Sequence, residues 1–166
     1  MEVCGVDPGL GTSGYAILTV ADGPPTVREA GVCRTDANAD LAERLAQIEH
    51  DFTNILDQWR PDVMGVEELY AHYKHPRTAI LMGHARGVLL AVAARFDVAV
   101  RSYSATHVKR FLTGNGRASK SQIQRVIQTT LQLTEVPEPN DVADALAIGL
   151  CCVQHIRDER MELSPA

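Results

Sequence analysis

Four acidic residues stand where carboxylates can do chemistry. Asp7 and Glu67 each close a short apolar run, and Asp141 and Asp144 lie three residues apart near the C-terminal end. A carboxylate that ends an apolar strand is costly to desolvate unless something positive meets it. Residues three apart are neighbours on one face of a helix, so Asp141 and Asp144 can point the same way. Four such groups brought together repel one another unless cations bind among them. An all-oxygen donor set suits hard divalent ions such as Mg²⁺ or Mn²⁺. Two ions about 3.5–4 Å apart can flank a scissile phosphate, one activating water and the other stabilising the leaving oxygen. Each acid also has a plainer use. Asp7, before Pro8-Gly9, suits a turn cap. Glu67, beside Glu68, suits an exposed loop start. Asp141 and Asp144 suit a helix first turn, where the dipole favours acids by about 0.3–1 kcal/mol.

The elements that must position these acids follow from the pattern along the chain. The runs Val3 to Val6 and Tyr15 to Leu18, joined by a stretch containing Gly9, Gly11 and Gly14, predict an antiparallel hairpin. A third strand is expected over 26–34, after Gly23-Pro24-Pro25. Asn38 and Asp40 offer caps for a helix whose apolar positions run from Leu41 through Leu45, Ile48, Phe52, Ile55 and Leu56 to Trp59, and Pro61 ends it. Residues 62–67 predict a fourth strand, and a polar, basic loop follows. The next helix, about 78–96, is apolar nearly all round. Its small residues Gly83, Ala85, Gly87, Ala91, Ala93 and Ala94 fit a dimer interface or an ordinary buried helix equally well. A fifth strand is expected over 98–103. Ser104 caps a short helix to about Leu112, broken by Gly114-Asn115-Gly116, and Ser119 with Gln122 forms a capping box for a helix to about Leu133. Asn140 caps a final helix ending near Ile156. The result is an α/β fold with a mixed five-stranded sheet flanked by helices. It forms a single domain over 1–158, with a flexible tail at 159–166. If strands one and four are adjacent, Asp7 and Glu67 lie side by side.

Composition narrows the class. The chain of 166 residues is 45% hydrophobic and 22% charged, ordinary for one globular domain. No stretch approaches the roughly 20 uncharged apolar residues of a membrane span, and no membrane role is expected. Cys4, Cys33, Cys151 and Cys152 sit in apolar segments with no C-x-x-C pair, and read as buried free thiols in a reducing cytoplasm. The net charge of −5 conceals an asymmetry. Residues 69–134 hold ten Lys/Arg and one acid, Asp97, a balance of +9, whereas the rest of the chain stands at −14. A long basic segment in an acidic protein points to a polyanion met on one face. Arg77 and Arg117 are expected there as nucleic-acid contacts.

The segments GVDPGLGTSGYAI, GVEELY, GHARGV and DVADALAIG, spread over nearly the whole chain, resemble the RuvC-type Holliday junction resolvases. The last, D-x-x-D followed by ALAI, is the most specific. The resemblance implies a ribonuclease H-like fold and a homodimer that cuts two opposed strands of a four-way DNA junction. It also implies two divalent ions per active site, Mg²⁺ or Mn²⁺, and ends that ligase can seal, 5′-phosphate and 3′-hydroxyl. By motif, Asp7, Glu67, Asp141 and Asp144 match the family's four acidic ligands and catalytic residues; where some relatives have a His near the third position, this chain has Asp141. Tyr70 matches an aromatic position that touches bases near the junction centre, and stacking of that kind contributes about 1–3 kcal/mol per base. Lys109 and Lys120 match basic positions near the cut phosphate. For Arg86, in GHARG, contacts to backbone or to a partner subunit both stay open. The family is associated with a branch-migration helicase complex and works in the bacterial cytoplasm, at the nucleoid.

His72 and His75 are the one local histidine pair, and Pro76 after them argues for a loop facing DNA or solvent. Two rival functions remain. The DPG hairpin also occurs in actin-like ATPases, but those need two lobes and this chain is long enough for one. A non-catalytic junction scaffold would be marked by a neutral residue at one of the four acidic positions, and all four are acids.

Overall fold

Strand β1 (Glu2–Asp7) is the middle strand of the sheet, with two strands on either side. The computed structural model describes residues 1–21, 23–69 and 76–162. In it, β1 pairs antiparallel with β2 (Thr12–Thr19) and parallel with β4 (Val63–Glu67). Strand β3 (Thr26–Arg34) adds antiparallel to β2, and β5 (Ala99–Tyr103) adds parallel to β4, for a sheet order of β3-β2-β1-β4-β5. The expected mixed five-stranded sheet is therefore present, with strands one and four adjacent.

Successive side chains on a strand point to opposite faces. Cys4, Val6, Ile17, Met64 and Val66 face a core shared with α1 (Leu41–Trp59) and α2 (Pro76–Arg95). Val3, Ala16, Leu18 and Val63 face a second core. This one is built on α5 (Asn140–Glu162), with α3 (Ala105–Thr113) and α4 (Lys120–Thr130) packed over it. By the same alternation, Asp7 and Glu67 fall on the α5 face, two residues beyond Gly5 and Gly65. At Gly5 and Gly14 helix α5 lies so close to the sheet that no side chain fits beneath it. A Cβ on Gly5 would stand 2.2 Å from the Ala145 carbonyl oxygen, and one on Gly14 would stand 2.0 Å from that of Asp141.

Several boundaries differ from the expectation for a physical reason. Helix α5 starts at Asn140 itself, because the Pro139 carbonyl accepts from the amides of Val142 and Ala143. It continues to Glu162, past the expected end near Ile156. Its last turns are tied down by Glu159 to Arg101, and by Arg157 to the carbonyls of Ala21 and Gly23. The expected tail is thus helical through residue 162. Helix α4 stops at Thr130, ahead of Leu133, and Gln132 is left-handed with φ 52°. Helix α2 is not buried all round. Ala85, Leu89, Val92 and Ala93 face the core, whereas Gly83, Gly87, Ala91 and Ala94 are exposed and Ile80 is 60% exposed. The four cysteines are free and buried, and burial pushes the thiols of Cys4, Cys33 and Cys151 up to about 12. Among the described residues no helix is long and apolar enough to cross a membrane.

Candidate active site

The site forms where β1 and β4 end and α5 begins. The parallel ladder runs Val3↔Val63 through Val6↔Val66, so the next residue on each strand is an acid, Asp7 and Glu67. Across the hairpin Asp7 pairs with Gly14, and the bare α-carbon of Gly14 lets the first turn of α5 settle on the sheet. That contact brings Asp141 beside Asp7, and one turn of helix brings Asp144 with it. The loop after Asp7 is pinned by Ser13, a buried hydroxyl that donates to the Gly9 carbonyl at 2.7 Å and accepts from its amide at 3.2 Å. Thr35 adds a bond from its hydroxyl to the Leu10 carbonyl at 2.6 Å.

Electrostatics mark the four acids as one group. Burial, then Glu67, Asp144 and Asp141 in turn, push the Asp7 carboxyl up to about 8, against a smaller opposing pull from Lys120. Burial and Asp144 raise Glu67, opposed by Lys109 and Lys120. Burial also raises Asp144, with Lys120 opposing and Asp141 adding to the rise. The mutual repulsion expected of clustered carboxylates is therefore present. Among the described residues the one ion-pair contact to the four acids is loose, Lys120 Nζ to Asp144 Oδ2 at 3.9 Å, with the lysine 65% exposed. Among the described residues no group of three or more His, Cys, Asp or Glu side chains forms a ready-made metal cage. By donor chemistry the cluster suits a hard divalent ion, being all oxygen and short of positive charge.

Of the basic residues expected to meet DNA, the fold brings Lys109 on α3 and Lys120 on α4 to the acids; Lys109, with Val108 and Ile123, lines the hollow between Glu67 and Asp144, and Lys120 approaches Asp144. Arg77, in the first turn of α2, and Arg117, in the α3–α4 connection, are exposed; among the described residues neither forms an ion pair with the four acids. Tyr70, His72 and His75 lie outside the described residues. Arg86 is bonded within the chain. Its Nε donates to the Glu67 carbonyl at 3.0 Å and its Nη2 to Ser102 Oγ at 2.7 Å. A larger hollow of about 570 Å³ lies between β5, α3 and α5, around Tyr103, His107, Phe111 and His155, and contains none of the four acids. Sequence reasoning overlooked Ser13 and the partners of Arg86. A serine within the glycine-rich turn, where hydroxyls bond nearby backbone, was a signal for the first, and nothing local signalled the second.

Residues 3–152 match the family model of crossover junction endodeoxyribonuclease RuvC. A protein of that description from Rhodopirellula baltica is 49% identical over 150 residues, 90% of this chain and 84% of the relative. One from Halothermothrix orenii is 40% identical over 151 residues, 91% of each chain. Among solved structures, Thermus thermophilus RuvC in complex with a Holliday junction substrate superposes with a TM-score of 0.90 at 31% identity, over 96% of both chains. The yeast mitochondrial Holliday junction resolvase Ydc2 shares the fold, with a TM-score of 0.63 at 13% identity. The chain belongs to the RuvC family of crossover junction endodeoxyribonucleases.

Proposed function

We propose that this chain resolves four-way (Holliday) DNA junctions as a structure-specific endodeoxyribonuclease, with Asp7, Glu67, Asp141 and Asp144 holding divalent ions, Mg²⁺ or Mn²⁺, two to a site. The observation that carries this reading is the electrostatic one. Asp7, Glu67 and Asp144 are each raised first by burial; Asp7 is raised further by the other three acids, Glu67 by Asp144 and Asp144 by Asp141, and the lysines nearby offset only part of that charge. Ions held there supply a water-derived nucleophile at neutral pH and neutralise charge on the phosphate being cut. The chain's own part is to hold four carboxylates at fixed positions on two strand ends and one helix, and to keep Lys109 and Lys120 at the rim. There the lysines position the phosphate and oppose developing negative charge. Hydrolysis then leaves 5′-phosphate and 3′-hydroxyl ends.

The same reading assigns Tyr70, three residues beyond Glu67, to stacking on a base near the junction centre. It assigns Arg77 and Arg117 to backbone phosphates along the basic segment. Resolution takes two cuts related by approximate two-fold symmetry, which an isologous homodimer supplies. The exposed Ile80, Gly83, Gly87, Ala91 and Ala94 of α2 are the face offered for it. The proposal extends to a branch-migration helicase complex as a partner and to the bacterial cytoplasm, at the nucleoid, as the setting.

The test is cleavage of a labelled mobile junction beside linear duplex of the same sequence, with Mg²⁺, Mn²⁺ or EDTA, for the native protein and Asp7→Asn. Paired nicks confined to the junction, and lost in EDTA and in the variant, are expected. Binding without any cut under either metal would point to a scaffold. Equal cutting of duplex would remove the junction specificity.

A further inference from the structure

Glu67 is the last residue of β4, and only one side of the strand is still paired when the chain reaches it. The ladder with β1 ends at Val6↔Val66, whereas the ladder with β5 continues to Glu67↔Tyr103, and the Glu68 amide donates to the Tyr103 carbonyl at 2.9 Å. On its carbonyl side Glu67 meets a side chain from a different layer. The half-buried guanidinium of Arg86, reaching from α2, donates Nε to that carbonyl at 3.0 Å and Nη2 to Ser102 Oγ on β5 at 2.7 Å. One planar group thus bridges the ends of two neighbouring parallel strands. The cations opposite the Glu67 carboxylate itself are Lys109 and Lys120. Arg86 meets the backbone that carries it.

This arrangement answers a mechanical problem. The Glu67 side chain is pressed toward Asp144, a like charge, from a strand end whose ladder continues on the β5 edge. A strand end held on one edge can tilt, and a tilt carries the carboxylate with it. Partners of this kind, which orient ligands without being ligands, are worth about 10–100-fold in metal affinity or activity. We propose that Arg86 is a positioning residue: by clamping the Glu67 carbonyl and Ser102 together it fixes the Glu67 carboxylate in register with the other three acids. The proposal rests on the reading of Glu67 as a metal ligand. Lysine cannot replace it fully, because its single nitrogen cannot reproduce the planar fork that spans both acceptors.

The test compares Arg86→Ala, Arg86→Lys, Ser102→Ala and, as a control, Glu67→Gln. Three quantities are measured: junction affinity in EDTA, the Mn²⁺ concentration for half-maximal single-turnover cleavage, and the rise in Tm that Mn²⁺ produces in the absence of DNA. For Arg86→Ala, junction affinity should hold while the Mn²⁺ midpoint rises about 10-fold or more and the Mn²⁺-induced Tm rise shrinks. Arg86→Lys and Ser102→Ala should fall between it and the native protein, and they carry the test if Arg86→Ala does not fold. Unchanged Mn²⁺ midpoints in the Arg86 and Ser102 variants, with Glu67→Gln inactive, would overturn the clamp and leave the metal site standing. Lost junction affinity with an unchanged midpoint would overturn it in favour of a DNA contact. A Glu67→Gln protein that cuts and responds to Mn²⁺ normally would overturn the metal-ligand reading and the clamp with it.

Discussion

Helix α5 carries acids at both ends, and the fold treats the two ends in opposite ways. Near its C-terminal end Glu159 receives two hydrogen bonds from the Arg101 guanidinium, at 2.6 and 2.7 Å, with His155 Nε2 at 3.3 Å. Its carboxyl is held below the ordinary value, first by that hydrogen bonding. At the N-terminal end Asp144 lies with Asp7, Glu67 and Asp141, has Lys120 no nearer than 3.9 Å and Lys109 as a further weak counter-charge, and is raised by burial. An acid that serves the structure is given its cation from within the chain. The acids at the other end are brought together against their own repulsion, which is what ligands for an external cation require. On the proposed function, stability and function part company along one helix.

The largest effect that would break this comparison is at Asp7. Asp7→Asn should lower junction cleavage by at least about 10²-fold, the scale of losing one charge-stabilising group at a reacting centre, with junction binding retained. Gel-based cleavage and mobility shift on the same protein separate the two. A variant that still cuts would make the N-terminal acids structural like Glu159.

Next in size is the placement of α5 itself. A Cβ at Gly14 would meet the Asp141 carbonyl carbon at 2.5 Å and its oxygen at 2.0 Å, and these are backbone atoms with little room to give. Gly14→Ala should cost about 1–3 kcal/mol by overpacking, read by denaturant unfolding. It should also slow cleavage more than that loss alone explains at temperatures where the variant stays folded, because Asp141 and Asp144 move with the helix end. Cleavage that recovered fully once the variant is folded would show the site tolerates displacement.

How far these features were legible in the sequence depends on how far apart the partners lie. Strand alternation is a short-range rule, and it ends two strands on Asp7 and Glu67. That these ends lie side by side depends on strands one and four being adjacent, a pairing (Val3 with Val63) 60 residues apart in the chain. The capping residues Ser104 and Ser119 mark α3 and α4 by an equally short-range rule. Gly14 reads in sequence as hairpin flexibility, whereas its role is to admit a helix from the far end of the chain. Arg86 reads as one more member of a basic segment, because nothing local tells which side of α2 faces the end of β4. The last turns of α5 look like tail until Arg101, 58 residues earlier, is placed opposite Glu159.

A smaller effect sharpens the contrast through pH. The Asp7 carboxyl stands at about 8 in the folded chain against an ordinary 3.8. The folded value is the higher, so the stabilisation provided by the neutral carboxyl is whole below about pH 4 and is lost as pH rises through 8. In EDTA the native protein should therefore lose stability between pH 5 and pH 8 relative to Asp7→Asn. By pH 8 the variant should be ahead by about 1.4 kcal/mol or more, the worth of one pKa unit. Added Mn²⁺ should restore the native protein and do less for the variant. Thermal melts across that pH window check it, and parallel curves for the two proteins would mean that the Asp7 charge is not a burden to the fold.

The smallest effect is expected at the other end of α5. Glu159 and Arg101 are both partly open to solvent, at 42% and 30% side-chain exposure, and exposed ion pairs contribute little because water and salt screen them. The bidentate geometry gives this pair more than most, since both guanidinium bonds, at 2.6 and 2.7 Å, go to one carboxylate. Glu159→Gln keeps the shape of the side chain and removes the charge. It should lower Tm slightly, with the loss fading as salt is raised, and leave cleavage and its metal dependence unchanged. A change in the Mn²⁺ midpoint on Glu159→Gln would mean that the two ends of α5 are coupled, and that the helix transmits strain from its structural acid to its N-terminal cluster.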